Sequence, residues 1–166
     1  MTSLDWDKLV LGLGPRLKRY FGLEFAPPLA ADLVQETFLR LVRQVQAGKL
    51  DPIRGTPTML AFGIAHYVRL EARKAAVTRP IPTGNEETVP AADHEWESRE
   101  REKALRSALS ELKEVERQIL LLHLDEEMTL TGIAAILGLP VGTIKSHVHR
   151  AKQTLRARLT SHKESL

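Results

Sequence analysis

The chain has 166 residues, with 24 lysines and arginines against 21 aspartates and glutamates, and it contains no cysteine. This length allows one domain or two small ones. The lack of cysteine excludes a disulfide framework, a thiolate nucleophile and a cysteine-ligated metal. No apolar run approaches the ~20 residues that a membrane span needs, and the first residues lack the apolar core of a signal peptide. We therefore expect a cytoplasmic protein without membrane insertion.

The charge is distributed unevenly along the chain. Residues 1–77 carry 11 cations and 7 anions, and residues 128–166 carry 6 cations and 1 anion. Residues 78–127 between them carry 7 cations and 13 anions. Two basic ends that flank an acidic middle suit a protein that contacts a polyanion at two places.

The first predicted element is a helix over residues 29–46. One of its faces is apolar at helical spacing, with Ala30, Leu33, Val34, Thr37, Phe38, Leu41, Val42 and Val45. The opposite face carries Asp32, Gln35, Glu36, Arg40 and Arg43. Periodicity alone favours a solvated face with local ion pairs, such as Glu36 with Arg40.

A turn-rich loop at residues 48–58 leads into a second helix, which we expect to run from Pro57 to about Val77 with Thr56 as its cap. The predicted apolar stripe contains Leu60, Ile64, Tyr67, Val68 and Ala75. Another face is expected to carry the basic residues His66, Arg69 and Arg73. Such a face is either simply solvated or in contact with a nucleic acid, and the residues alone leave both open.

Residues 78–94 contain three prolines and a Thr-Gly-Asn turn signal, so we interpret them as a flexible linker. The expected domains are then residues 1–77 and 95–166. Strand signals are nearly absent, so the predicted fold class is all-α, with two small helical domains joined by the linker. In the second domain, predicted helices at 95–110 and 114–124 cover the helices that follow, which could not fold alone.

Residues 129–158 carry the most specific motif, two amphipathic helices that meet at a tight turn. Thr129 is placed to cap the first helix, Gly138 to end it in the left-handed conformation and Pro140 to open the second. The stripe of the second helix contains Val141, Ile144, Val148, Ala151 and Leu155. Its other side carries polar and cationic groups. This pattern predicts a helix-turn-helix, whose second helix enters the major groove of DNA.

The alternative to DNA binding is an ordinary helical hairpin with a solvated basic face. The turn residues and the excess of 6 cations over 1 anion after residue 127 favour DNA binding. A metal site is not expected, because His147 and His149 face about 200° apart on a helix and cannot chelate one ion. The sequence also has no nucleophile constellation or phosphate-binding glycine loop. We therefore expect no cofactor, no catalytic residue and no enzymatic activity.

Two segments resemble a known family. AADLVQETFLRLVRQ at 30–44 is similar to a helix in region 2 of bacterial RNA polymerase sigma factors. The segment at 109–159, from LSELKEVERQ to QTLRARL, resembles their region 4. The short length, with a linker that joins the two directly, resembles the extracytoplasmic-function class. The resemblance implies a sigma factor that binds the β and β′ subunits of core RNA polymerase, recognises promoter DNA and helps to open it. It also implies an anti-sigma protein as a partner.

The resemblance assigns roles by position. Core-polymerase binding would involve Asp32, Gln35, Glu36 and Arg40. Recognition of the −10 element and strand opening would involve Arg54, Phe62, His66, Arg69 and Arg73. The −35 element would be read through Thr143, Lys145, Ser146, His147, Arg150 and Lys152.

The chain departs from the family pattern at several places, including a short stretch before Asp32 that Pro27 and Pro28 interrupt. Met59 stands where an aromatic residue is common, which affects strand opening. Gly132 stands where an acidic residue would complete a capping box with Thr129. His147 stands where arginine is common, which affects −35 reading.

Two other functions remain open at this point. One is a helix-turn-helix regulator that binds duplex DNA without polymerase, and the DLVQE helix argues against it. The other is a sigma-like decoy that sequesters an anti-sigma protein, and the basic second helix of the motif argues against that.

Overall fold

A computed structural model of the chain describes residues 4–49, 55–78, 93–125 and 128–164. The chain divides into two compact units, Met1–Gly84 and Asn85–Leu166. Throughout the described ranges every regular element is a helix, which confirms the predicted all-α fold. Most of the predicted linker at 78–94 lies outside the described residues, so its limits stay a prediction.

The first unit consists of three helices, α1 (Trp6–Gly22), α2 (Pro27–Gln46) and α3 (Pro57–Thr78). The side chain of Asp5 caps α1 by accepting a hydrogen bond from the amide of Lys8 at 3.1 Å. Pro27 and Pro28 open α2, where their missing N–H groups cost nothing. The hydroxyl of Thr56 accepts from the amide of Met59 at 3.2 Å, so its predicted capping role is confirmed.

The core of the first unit lies between these three helices. α1 contributes Leu13, Leu17, Tyr20 and Phe21, α2 contributes Ala30, Leu33 and Leu41, and α3 contributes Ala61, Phe62, Ala65 and Val68. Thr37 is also fully buried, and its hydroxyl donates to the carbonyl of Leu33 at 2.7 Å. The predicted apolar face of α2 is therefore confirmed.

The predicted stripe of α3 is correct at Val68, which is buried, and wrong at Tyr67 and Ala75, which are exposed. The exposed Tyr67 lies outside the buried face, whereas Arg69, predicted on a basic surface, is buried. The reason is that α3 has apolar residues on almost every side of its first three turns. Periodicity cannot choose a buried face when several faces are equally apolar.

The second unit consists of α4 (Asp93–Ser110), α5 (Glu114–Leu120), α6 (Leu130–Leu137) and α7 (Val141–Glu164), with a π-helical turn at Leu121–Asp125 that continues α5. Its core contains Ala108, Leu112, Ile119, Leu120, Leu122, Met128, Ile133, Ala134, Ile144, Val148 and Ala151. The guanidinium of Arg117 donates to the carbonyl oxygens of Ser110 (3.2 Å) and Leu112 (3.1 Å), and so fixes the turn from α4 into α5.

The turn between α6 and α7 forms as the sequence predicts. The hydroxyl of Thr129 accepts from the amide of Gly132 at 3.1 Å and caps α6. Gly138 ends α6 at φ +66°, in the left-handed region that glycine adopts without strain. The carbonyl of Pro140 accepts from the amide of Ile144 at 3.1 Å and starts α7. The helix-turn-helix geometry is thereby confirmed.

Among the described residues, no helix has the length and apolar character needed to cross a membrane.

Candidate protein and nucleic-acid interfaces

Helix α7 has one buried side and one exposed basic side. Ile144, Val148 and Ala151 face the core of the second unit. Among the residues predicted to contact DNA, Lys145, Ser146 and Arg150 are exposed, whereas Thr143, His147 and Lys152 are half-buried. The structure therefore brings the predicted contacts together along α7, with cations beside small polar groups. This arrangement can place side chains against both base edges and phosphates.

His147 points toward α5 rather than straight outward. Its side chain is 14% exposed, and its Nδ1 atom lies 3.5 Å from Oε1 of Glu116. Nη2 of Arg150 lies 3.1 Å from the same Nδ1 atom. His147 therefore makes its contacts within the second unit. Only the exposed edge of its ring is available for the predicted contact with DNA.

Glu116 is a residue that the sequence argument missed. It is buried at the start of α5, where its Oε2 accepts from the amide of Lys113 at 3.2 Å. The available signal was its position three residues after the cap of α5, where an acidic side chain commonly returns to the first amide. Its contacts with α7 are long-range and leave no pattern in the sequence.

The polar face of α2 lies at the surface of the first unit. Asp32 and Gln35 are exposed, and Glu36 is half-buried. Nε of Arg40 lies 2.7 Å from Oε1 of Glu36, so the predicted ion pair is confirmed. The same guanidinium donates to both carboxylate oxygens of Glu71 on α3, at 3.0 and 2.6 Å. Arg40 thus links the polar face of α2 to α3.

The link at Arg40 favours the charged forms of Arg40 and Glu71. The hydrogen bond from Arg40 lowers the pKa of Glu71 below its ordinary value. The hydrogen bonds to Glu71 and then Glu36 raise the pKa of Arg40. The pair of Arg40 and Glu71 therefore remains ionised at neutral pH. A bidentate arginine–carboxylate pair also has better geometry than most surface ion pairs.

Two of the residues predicted to contact the −10 element are inside the first unit. Phe62 is fully buried, with its ring edge-on to Tyr20 at a centroid distance of 5.7 Å. Arg69 is 3% exposed, and its Nη1 donates to Oε2 of Glu24 at 3.0 Å. The prediction that Phe62 and Arg69 contact DNA is therefore corrected, because their burial gives both a structural role in the core.

The remaining −10 predictions have mixed outcomes. Arg73 is exposed, and its Nε lies 2.6 Å from Oε1 of Glu24, so that one carboxylate binds two arginines of α3. His66 is half-buried, with its ring 5.9 Å from that of Tyr67. Arg54 lies outside the described residues. Of the residues of α3 predicted to contact the −10 element, His66 and Arg73 thus reach the surface, and Tyr67 lies beside them.

In the described part of the chain, no three histidine, aspartate or glutamate side chains are grouped so that they could hold a metal ion.

Residues 102–155 match the family description "Sigma-70, region 4". The chain is 32% identical over 131 residues to the ECF RNA polymerase sigma factor EcfG of Rhodopseudomonas palustris, which covers 78% of this chain and 71% of that protein. It is 28% identical over 163 residues to the ECF RNA polymerase sigma factor SigE of Mycolicibacterium smegmatis. That match covers 95% of this chain but 63% of SigE, so the chain spans less than two thirds of this relative.

Two solved structures share the fold. One is the sigma factor RpoE from Bartonella quintana in complex with the anti-sigma factor NepR, with a TM-score of 0.70, 23% identity and coverage of 95% of this chain and 98% of that one. The other is CnrH in complex with the cytosolic domain of CnrY, with a TM-score of 0.68, 20% identity and coverage of 93% and 87%.

Proposed function

Because this chain belongs to the extracytoplasmic-function family of RNA polymerase sigma factors, we propose that it binds core polymerase, directs it to promoters and helps to open the DNA. The observation that carries the proposal is the two-sided α7. Its apolar side is buried in the second unit, and its basic side is presented at the surface after the glycine turn at Gly138. A helix held in this way fits the major groove.

The −35 contacts divide by chemistry. Lys145 and Lys152 are point charges on long side chains, which suits phosphate contact and register. Arg150 can present two parallel donors to a guanine, so it is the residue proposed to read a base. Ser146 donates its hydroxyl to the carbonyl of Gly142 at 3.1 Å, which keeps its lone pairs available to a base or phosphate.

The first unit is proposed to contact the β and β′ subunits of core polymerase through the polar face of α2. Asp32, Gln35 and Glu36 supply two carboxylates and an amide on successive turns. Leu39, exposed on the same face, adds an apolar contact in the middle of the polar residues. A central apolar side chain inside a polar rim is typical of protein interfaces.

The −10 element is proposed to contact α3 through His66 and Arg73, together with Arg54 in the loop that precedes it. Tyr67 lies at the same surface, and an exposed aromatic ring beside cations can stack on an unpaired base. Through these residues the first unit would capture the opened DNA strand.

The remaining features of the proposal follow from this role. A sigma factor supplies recognition rather than bond chemistry, so we assign no catalytic residue and no cofactor, and we place the protein with the polymerase in the cytoplasm. An anti-sigma protein is proposed as a regulatory partner, because RpoE, which shares the fold, was solved in complex with one.

The test is run-off transcription with purified core polymerase on a promoter library, combined with direct measurement of core affinity. Replacing Asp32 with alanine should weaken core binding about tenfold, the effect of losing one well-placed interface contact. Glu36→Ala should also weaken it, but it additionally disturbs Arg40. Glu102→Ala is the matched control, because Glu102 is an exposed acid on α4 that pairs only locally with Arg106, at 2.9 Å, in the contacts described.

Unchanged core affinity in both the Asp32 and Glu36 variants would contradict the assigned interface. Absence of any core binding by the unaltered chain would contradict the sigma-factor role and leave a helix-turn-helix regulator that acts without polymerase.

A further inference from the structure

The carboxylate of Glu116 lies beneath the exposed side of α7. Its side chain is 7% exposed. Oε1 lies 3.5 Å from Nδ1 of His147 and 3.7 Å from Nε of Arg150. Oε2 accepts from the amide of Lys113 at 3.2 Å. One buried carboxylate therefore connects the start of α5 to two side chains in the middle of α7.

A carboxylate with so little solvent contact requires cations or donors close by, because its desolvation is otherwise uncompensated. Arg150 supplies a cation from α7, and the amide of Lys113 supplies a donor from α5. The attraction is mutual, so the buried charge also restricts where the guanidinium of Arg150 can go. A distance of 3.7 Å is that of an ion pair, which constrains the position of the group without fixing a single hydrogen bond.

The other end of Arg150 remains accessible. Its side chain is 55% exposed, and His147 restrains Nη2 at 3.1 Å. Bidentate recognition of guanine benefits when the plane and direction of the guanidinium are set before contact, since a freely rotating arginine loses conformational freedom on binding. Glu116 and His147 restrain the Nε and Nη2 atoms, which supplies this order.

We propose that Glu116 is a positioning residue that directs Arg150 and thereby determines which −35 base pair this arginine reads. The inference rests on the proposed function, because it requires α7 to lie in the major groove. Glu116 does not touch DNA in this arrangement. It acts on specificity through Arg150, from a helix outside the recognition helix.

The test uses the full chain with core polymerase on promoters that carry each base at every −35 position. Glu116→Gln retains the size of the side chain and an oxygen that can accept from the amide of Lys113, but it removes the charge. It should lower discrimination at one −35 position about tenfold and leave the other positions unchanged. Arg150→Ala should lower discrimination at the same position, and adding Glu116→Gln to it should produce no further loss there.

Two further variants separate positioning from folding. Glu111→Gln removes a different ion pair with α7, from Glu111 to Arg158 at 2.6 Å, and should leave the discrimination pattern intact. His147→Ala leaves Glu116 and its capping bond in place but removes the second restraint on Arg150. It should lower discrimination at the same position by a smaller factor than Glu116→Gln. This variant tests the positioning of Arg150 even if Glu116→Gln destabilises the second unit.

Three results would overturn the proposal. The first is unchanged discrimination between −35 bases in Glu116→Gln. The second is a loss of binding by Glu116→Gln that is equal on all promoters and is accompanied by a lower melting temperature. The third is an additive loss in the double variant. Binding of the full chain to duplex −35 fragments, measured without polymerase on the same panel, tests the positioning separately. A failure of core-dependent transcription in the unaltered chain would count against the proposed function alone.

Discussion

At the scale of single residues, Glu24 holds the first unit together in a way that its place in a short loop does not suggest. It lies two residues after the end of α1, and its carboxylate binds Arg69 at 3.0 Å and Arg73 at 2.6 Å, both from α3. Arg69 has almost no solvent contact, so the carboxylate of Glu24 offsets part of the cost of burying its charge. Glu24 therefore stabilises the end of α1 against α3.

Replacing Glu24 with alanine should destabilise the first unit by about 3 kcal/mol, because it breaks the ion pair of the buried Arg69 with this carboxylate. Urea unfolding, followed by a probe in the first unit, measures the loss. The control is Glu71→Ala. Glu71 also binds an arginine, but its side chain is 58% exposed, so its loss should cost less than about 1 kcal/mol. Equal losses in the two variants would contradict the argument from burial.

At the scale of elements, the turn between α6 and α7 depends on one backbone conformation. Gly138 lies at φ +66° with open space around its Cα, so a side chain there is opposed by the backbone and not by crowding. Gly138→Ala should therefore destabilise the second unit by about 1 kcal/mol.

The matched control for that variant is Gly142→Ala. Gly142 lies inside the first turn of α7, and a Cβ added there also meets open space. In a helical conformation alanine is favoured over glycine, so this change should be neutral or stabilising by up to about 1 kcal/mol. Thermal unfolding of both variants measures the difference. A loss of stability for Gly142→Ala as large as that for Gly138→Ala would show that backbone conformation is not the cause.

The elements also show which parts of the structure the sequence could predict. The helix-turn-helix was predictable, because Thr129, Gly138 and Pro140 act on their immediate neighbours. The apolar face of α2 was predictable, because polar residues mark its other side. The buried face of α3 was not predictable, since α3 has apolar residues on almost every side of its first three turns. The contacts of Glu24 and Glu116 with arginine and histidine were not predictable either, because the partners lie about 30 residues or more away along the chain. Sequence patterns report local geometry and miss such pairs.

At the scale of the whole molecule, the uneven charge should appear as salt-dependent DNA binding. Each phosphate contact releases counterions, so the slope of log affinity against log salt reports the number of contacts. Lys152→Ala should weaken binding evenly across promoter sequences and lower the slope by about 1.

The control for Lys152→Ala is Lys103→Ala, which removes an exposed cation from α4 and should leave the slope unaltered. Binding of the full chain to labelled duplexes over a salt series provides both values. A loss confined to one promoter sequence would show that Lys152 reads a base instead of contacting a phosphate.

The shared guanidinium of Arg40 has a consequence for genetics. Its partners are Glu36, on the proposed polymerase face of α2, and Glu71, on the helix proposed to face the opened strand. A missense change at codon 40 would release both carboxylates at once. A screen that scores transcription would then recover such alleles as pleiotropic, with defects in holoenzyme assembly and in promoter opening. Suppressors that restore one phenotype should leave the other, since no single second-site change replaces both ion pairs.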